Sequence, residues 1–203
     1  RRLWNEEHTG WMNTLTWQAN KLVAIEGGFN YEHQDNRYRR YRYAYAVPTD
    51  FSTPASTSND DSHTLDNFGA YVQAIIKPSE SWKIVPAMRT DTFKGHTTLN
   101  TTGQNYPLQD YGWITQPKLS IVYSPSAAFS IYGNWGRTFQ IVTGSRSPAY
   151  LTTGTAVLKP SINTGIELGT KFRLAERTEA RIAIWQQDAT DELLQLLVLV
   201  GQL

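Results

Sequence analysis

The sequence contains no cysteine and only four histidines, which are far apart. The absence of cysteine excludes disulfides, thiolate metal sites and thiol nucleophiles. None of the histidines (His8, His33, His63 and His96) has the spacing of a zinc site. We therefore predict neither a bound metal nor a cofactor.

Catalytic motifs and long apolar runs are also missing. The chain has no G-x-S-x-G, no phosphate-binding glycine loop and no H-E-x-x-H, so we expect that it is not an enzyme. No run approaches the roughly 18 apolar residues of a membrane-spanning helix. The N-terminus carries neither a signal-peptide core nor an initiator methionine, which is typical of a mature piece or an excised fragment.

Charge is nearly balanced, and aromatic residues are abundant. The 19 basic and 18 acidic residues give a net charge of +1, which excludes a strongly basic surface over the whole chain. Seven tryptophans and eleven tyrosines suit a β-sheet protein with surfaces at a boundary between water and an apolar phase.

Positive charge is concentrated in one stretch, NRYRRYRYAYAVP at residues 36–48. Four arginines and four tyrosines occupy ten positions there. A nucleic-acid groove, a membrane-surface belt and an anion-binding pocket all use this mixture, so composition alone leaves three interpretations open.

Alternation of apolar and polar residues with a period of two dominates the sequence and predicts β-strands. In residues 163–174, Ile166 and Leu168 fall on one face, whereas Glu167 and Lys171 fall on the other. The same pattern recurs along the chain and predicts eight strands in four hairpins. Their approximate bounds are 9–18, 22–45, 65–77, 82–94, 111–123, 128–141, 163–174 and 178–190.

The connections between these segments alternate between short and long. Tight turns are expected at 19–21, 78–81, 124–127 and 175–177, and long polar loops at 47–64, 95–110 and 142–162. Outer-membrane β-barrels have short periplasmic turns and longer extracellular loops. The pattern thus predicts an all-β, antiparallel transmembrane β-barrel architecture of about eight meandering strands.

Two details qualify this prediction. KPSESWKI (77–84) and SPSAAFSI (124–131) share Pro-Ser-x-x-aromatic-x-Ile, which indicates either a repeated hairpin unit or convergent turn chemistry. Pro86 and Pro117 fall inside predicted strands, where proline removes a ladder donor and implies a bulge or an edge.

The segments GAYVQAIIKPSESWKIVPAMRTD (69–91), QPKLSIVYSPSAAFSIYGNWGRTFQ (116–140) and LKPSINTGIELGTKFRL (158–174) resemble consecutive hairpins of TonB-dependent outer-membrane receptors. The likeness extends over roughly 65–192. Receptors of this type are plugged barrels of about 22 strands. The resemblance therefore implies that residues 1–203 are a partial receptor barrel, about a third of the wall, without the plug domain or the TonB box. As such a segment, the chain is expected to form an open curved sheet rather than a closed barrel.

The resemblance implies import of a scarce nutrient, most simply a ferric siderophore, across the bacterial outer membrane. The partners it implies are an iron–siderophore or similar chelate, the lipid bilayer with its lipopolysaccharide, and TonB and the plug domain through other parts of the receptor. Nucleic acid is not an expected partner.

Two groups of site residues follow from these expectations. Counting alternate residues from Val23 assigns Tyr38, Arg40 and Arg42 to the lumen side of the second strand, with Arg37 and Arg39 outside. The predicted ligand-binding residues are Tyr38, Arg40, Arg42, Tyr106, Arg146 and Tyr150. The residues predicted to face the lumen or plug are Arg89, Asp91, Glu167, Lys171 and Arg173. Outward aromatics expected to contact lipid are Trp11, Trp17, Trp82, Phe129 and Trp135.

Two alternative functions remain open, and the arginine–tyrosine stretch can also be a solvated β-ribbon that binds no ligand. Eight strands also suffice for a complete small barrel with a structural or adhesive role, which requires pairing between 9–18 and 178–190. A soluble β-protein that stacks single-stranded nucleic acid on residues 37–45 is a second. Asp60, Asp61 and His63 are expected to lie in a solvated polar loop rather than in a divalent-ion site.

Overall fold

The computed structural model describes residues 1–43, 54–141, 159–175 and 178–192. In these described ranges, nine antiparallel strands make up a single sheet. Within the described ranges no helix is long and apolar enough to cross a membrane. The strands are β1 (Arg2–Gln18), β2 (Val23–Arg42), β3 (Ser56–Ser79), β4 (Trp82–Leu99), β5 (Gln104–Pro107), β6 (Ile114–Ser126), β7 (Phe129–Gln140), β8 (Ser161–Ala175) and β9 (Thr178–Thr190).

The sheet is an open meander. Its strand order is β1-β2-β3-β4-β6-β7-β8-β9, and the short β5 pairs with the far end of β4. β1 and β9 therefore stand at opposite edges among the described strands, with no ladder between them. This confirms the predicted open antiparallel sheet and overturns the alternative of a closed eight-stranded barrel.

Several strands are longer than alternation predicted. β1 begins at Arg2, β3 at Ser56, and β4 continues to Leu99. The expected polar loops at 47–64 and 95–110 are thus wrong over much of their length, and 95–110 contains the unpredicted strand β5. The extension of β3 is polar on both faces, and those of β1 and β4 have few apolar residues, so they lack the regular apolar positions by which alternation recognises a strand.

The tight turns lie at one common end of the strands, and backbone hydrogen bonds join them to neighbouring hairpins. Lys77 N donates to Leu22 O at 2.7 Å, Ser124 N to Ser81 O at 2.7 Å, and Arg173 N to Ala128 O at 2.8 Å. Both Pro-Ser turns of the sequence repeat produce the same register break, between Ile76 and Ser79 and between Tyr123 and Ser126. The repeated motif therefore encodes one hairpin geometry used twice.

The register separates the sheet into an apolar and a polar face, because directly paired residues of antiparallel strands lie on the same side. The exposed apolar side chains of one face form a band in the half of the sheet nearest the tight turns. This apolar face contains Trp11, Leu15, Trp17, Phe29, Phe68, Val72, Trp82, Met88, Phe129, Ile131, Trp135, Ile166, Leu168, Ile182 and Ile184.

The opposite face, the polar face, has the more buried side chains: Asp61, His63, Asn67, Asp91, Thr97 and Gln116 are all at most 9 % exposed. Because side chains converge on the inner side of a curved sheet, this burial identifies the polar face as the concave one. Polar side chains thus cover one another on the inside while most of the exposed large apolar ones stand on the outside, which is the arrangement of a membrane barrel wall.

Both strand prolines, Pro86 in β4 and Pro117 in β6, lie in the ladder between these two strands. Pro86 is opposite Leu119 and Pro117 is opposite Met88, and the β4–β6 register has no shift, so the predicted bulge is wrong. On its other side, β6 pairs with β7 only from Lys118 opposite Gly136 down to the turn. Pro117 therefore lies at a local edge, where its missing N–H leaves no ladder bond unmade.

Adjacent residues of β9 provide a test of the two faces. We expect Ile184→Arg to lower the free energy of unfolding in lipid vesicles by about 2–4 kcal/mol, because it places a cation on the apolar face near mid-strand. Ala183→Arg, one position away on the polar face, should cost much less. Equal losses for the two variants in denaturant titrations would contradict the assignment.

Candidate ligand-binding face

On the polar face, at the height of the apolar band, a hydrogen-bonded network of side chains joins β2, β3, β4 and β6. Arg89 donates to both oxygens of Asp91, at 2.8 and 2.6 Å, and to Asn30 Oδ1 at 2.7 Å. Gln116 donates to the same carboxylate at 2.8 Å. Asp91 is only 3 % exposed, so its charge is compensated by neighbours rather than by water.

Gly69 makes room for this network. A Cβ at that position would overlap the Arg89 guanidinium, the Asn30 amide and the Asp91 carboxylate. The absence of a side chain on β3 therefore lets three polar groups from β2 and β4 meet across it.

A second group of charges covers β7, β8 and β9 on the same face. The Tyr132 hydroxyl donates to Glu167 at 2.7 Å, and Arg181 contacts both residues. Near the tight turns, Glu179 accepts from Lys171 at 2.7 Å and lies 3.5 Å from Arg173. These cations and carboxylates neutralise one another within the wall.

All five residues predicted to face the lumen or plug lie on the polar face: Arg89, Asp91, Glu167, Lys171 and Arg173. Their partners Asn30, Gln116, Tyr132, Glu179 and Arg181 were missed, because cross-strand neighbours are defined by register and not by sequence spacing. Whether any of them contacts a plug stays a prediction.

Beyond the apolar band, β1 to β5 continue as a tall extension of the wall. The band ends near Tyr31 and Phe68, whose rings are 4.7 Å apart. Tyr38 is seven residues further along β2, or about 23 Å at the usual rise per residue. The extension thus presents a polar-face surface well outside the band.

Three of the predicted ligand residues lie on this extended polar face, Tyr38 and Arg40 on β2 and Tyr106 three strands away on β5. Tyr38 is opposite Asp61 on β3, Arg40 is opposite Asn59, and Tyr106 on β5 is opposite Thr97. The bulge near Arg40 leaves Ser58 as the extra residue of β3, so alternation along β2 continues and assigns Arg42 to the same face. Arg146 and Tyr150 lie outside the described residues.

Two titratable side chains of β3 are buried on the same face beside these residues. Asp61 is 3 % exposed, and burial raises the pKa of its carboxyl group. His63 is 9 % exposed, its Nδ1 lies 2.9 Å from Thr97 Oγ1, and burial lowers the pKa of its imidazole. The expectation of a solvated loop around these residues is wrong, because they form part of β3 and point towards the concave side.

The outer side of the extension carries a separate set of charges. Arg37 donates two hydrogen bonds to Asp60, at 2.9 and 2.8 Å, and these bonds lower the pKa of that carboxyl group. Arg39 also lies on this side, opposite Asp60 in the register. The arginine cluster is therefore divided between two faces and does not form the single basic stripe that a nucleic-acid strand would follow.

Sequence reasoning missed part of the upper site. Trp4 lies opposite Tyr38 on the polar face with its ring centroid 5.7 Å away, and Arg2 lies opposite Arg40. Residues 2–8 precede the first predicted strand, so no register connected them to β2. Among the described residues, no group of three or more carboxylate or histidine side chains is arranged to hold a metal ion.

Comparison with known proteins agrees with this geometry. The family described as TonB dependent receptor-like, beta-barrel matches residues 2–202, a longer stretch than the resemblance in the sequence indicated. The chain therefore belongs to the TonB-dependent receptor β-barrel family.

Solved structures share the fold at low sequence identity. The unliganded ferric citrate transporter FecA has a TM-score of 0.70 and 18 % identity, over 91 % of this chain and 28 % of that one. The siderophore receptor PiuA from Acinetobacter baumannii gives 0.65 and 15 %, over 90 % and 32 %. The copper transporter OprC gives 0.65 and 13 %, over 93 % and 31 %. The chain thus spans about a third of the length of these proteins.

Asp60 and Asp61 should respond to pH in opposite ways. Asp61 has a raised pKa, so its folded-state ionisation costs stability as pH rises above the unfolded value near 4. We expect Asp61→Asn to raise the melting temperature of the detergent-solubilised receptor at pH 7, with the gain disappearing below about pH 4.

Asp60 has a lowered pKa, so its contribution is present above the unfolded pKa and is lost as pH falls through the folded one. Asp60→Asn is therefore the matched control. It should lower the melting temperature at pH 7, corresponding to no more than about 1 kcal/mol, and this loss should shrink in acid. Parallel pH profiles for the two variants would contradict the assigned environments.

Proposed function

We propose that this chain forms part of the wall of an outer-membrane receptor that captures and imports a scarce nutrient, most simply a ferric siderophore. The observation that carries the proposal is the extended polar face beyond the apolar band, where Tyr38, Arg40 and Tyr106 lie on one side of the wall. Arginine and tyrosine bind anionic oxygen ligands through charge-assisted hydrogen bonds and ring contacts.

The charged residues of the polar face differ between the level of the band and the outer mouth, and this difference supports a role in ligand capture. At the level of the band, the charges of Arg89, Asp91 and Glu167 are matched by partners in the wall. Arg40 and Arg42 have no ion-pair partner among the described carboxylates, so their charge is available to a ligand at the outer mouth. Arg146 and Tyr150 belong to the same proposed site on the sequence argument alone.

Other parts of the receptor carry out the remaining steps of the transport cycle. Capture takes place on the outer mouth, and release requires energy delivered through TonB to a plug domain in other parts of the receptor. The apolar face contacts the bilayer, and the outer charges around Arg37 and Arg39 lie at the level of lipopolysaccharide head groups. The reaction class is binding and transport without chemical conversion.

Uptake measurements test the function. In iron-limited cells lacking the native receptor, expression of the full receptor should restore TonB-dependent accumulation of radiolabelled iron from a ferric chelate. Arg40→Ala/Arg42→Ala should reduce uptake at low chelate concentration at least about tenfold, since charge-assisted contacts contribute about 1.5–3 kcal/mol each.

Arg37→Ala/Arg39→Ala is the control, because it removes the same charge from the same strand on the other face. It should change uptake little at equal receptor levels. Failure of the intact receptor to accumulate iron from any chelate would overturn the proposed function, whereas equal uptake by both double variants would remove Arg40 and Arg42 from the site.

A further inference from the structure

Two arginines face each other directly at the outer end of the polar face. Arg2 on β1 is opposite Arg40 on β2, and both side chains are exposed. Directly opposed residues have Cβ atoms about 4.5–5.5 Å apart, and like charges in this position are destabilising. No described carboxylate lies within ion-pair distance of either guanidinium, so the wall itself does not relieve this repulsion.

The described arginines that lie lower on the polar face each have a carboxylate partner. Arg89 pairs with Asp91, Arg173 lies 3.5 Å from Glu179, and Arg181 pairs with Glu167. An uncompensated arginine pair is thus a property of the mouth rather than of the face as a whole. An anion held between the two guanidiniums would convert the repulsion into two attractive contacts.

Aromatic rings occupy the next row towards the membrane. Trp4 and Tyr38 face each other with centroids 5.7 Å apart and planes tilted by 54°. Trp4 is 59 % exposed, so much of its ring surface is available for contact. Residues two positions apart on a strand share a face at a spacing of about 7 Å, which brings the arginine row next to the ring row.

Carboxylates occupy the rows below the rings. Glu6 and Glu32 both contact His8, at 2.6 and 2.9 Å, on the polar face. Their negative charge disfavours an anion deeper along β1 and β2. Along β1 and β2 the order is therefore cationic, aromatic and then acidic, and Asp61 of β3 is buried beside Tyr38. This order favours a ligand with its anionic end outward and a flat ring inward.

We propose that Arg2, Trp4, Tyr38 and Arg40 form one subsite that binds an anionic aryl group, such as a catecholate or an aryl carboxylate, of the transported chelate. This inference rests on the proposed function and specifies its ligand class. The guanidiniums bind the anionic oxygens through paired N–H donors, and the rings contact the aryl plane. Neutral chelates gain nothing from the arginine pair.

Binding titrations with three probes test this subsite. The full receptor in detergent is titrated with an anionic ferric tris-catecholate, with ferric citrate as an anionic chelate without a ring, and with a neutral ferric trihydroxamate. We expect the tris-catecholate to bind most tightly and its Kd to rise with salt. Arg2→Gln and Arg40→Gln should each weaken it about tenfold or more.

The remaining variants separate charge from ring contact. Trp4→Leu should weaken the tris-catecholate several-fold and leave ferric citrate unchanged. Arg39→Gln is the matched control, because it removes one charge from the adjacent row on the opposite face. An unchanged β-sheet circular dichroism spectrum shows that each variant is folded.

The results of these titrations distinguish a failure of the proposed subsite from a failure of the proposed function. If the intact receptor binds chelates but the Arg2→Gln/Arg40→Gln variant keeps the same affinities, or if the neutral trihydroxamate binds as tightly as the tris-catecholate, the subsite is wrong and the proposed function stands. If the intact receptor binds and imports no ferric chelate, both are wrong.

Discussion

The continuous antiparallel ladder determines which side of the wall each side chain occupies. A shift of one residue in any strand would exchange its apolar and polar positions, and such a shift is costly where one face meets lipid. Each of the register breaks among the described strands lies near a strand end: near the tight turns in β3, β6 and β8, and near Arg40 at the far end of β2. The band between them keeps an undisturbed register, and the two faces stay separate.

The same strands serve two environments along their length. Within the band, the outer side presents exposed apolar side chains, and the inner charges are matched by neighbours such as the Asp91 network. Above the band, both faces carry charged residues, and their environments diverge. The outer Asp60 is ion-paired, whereas Asp61, the next residue, is buried on the inner side without an ion pair among the described residues. One step along β3 thus separates carboxyl groups with opposite pKa shifts.

Alternation predicted the band well and its extension poorly. The faces of Ile166, Leu168, Glu167 and Lys171 followed from a period of two because apolar and polar residues alternate clearly there. Near Asp61 both faces are polar, so the sequence contains no contrast to reveal the strand. Arg2 and Trp4 were missed because they precede the first predicted strand. Cross-strand pairs such as Arg89 and Asn30 depend on a register that sequence spacing does not reveal.

Pro117 has a mechanical consequence for the outer rim. Since the β6–β7 ladder stops at Lys118 and Gly136, the upper part of β7 is tied by backbone hydrogen bonds to β8 but not to β6. The rim is therefore split into two arms that share a common base, one built on β1 to β6 and the other on β7 to β9. The Phe93 and Phe139 rings, 5.6 Å apart, bridge the cleft. A ring contact resists shear far less than a ladder does, so the connection across the cleft is mechanically weaker than the base below it.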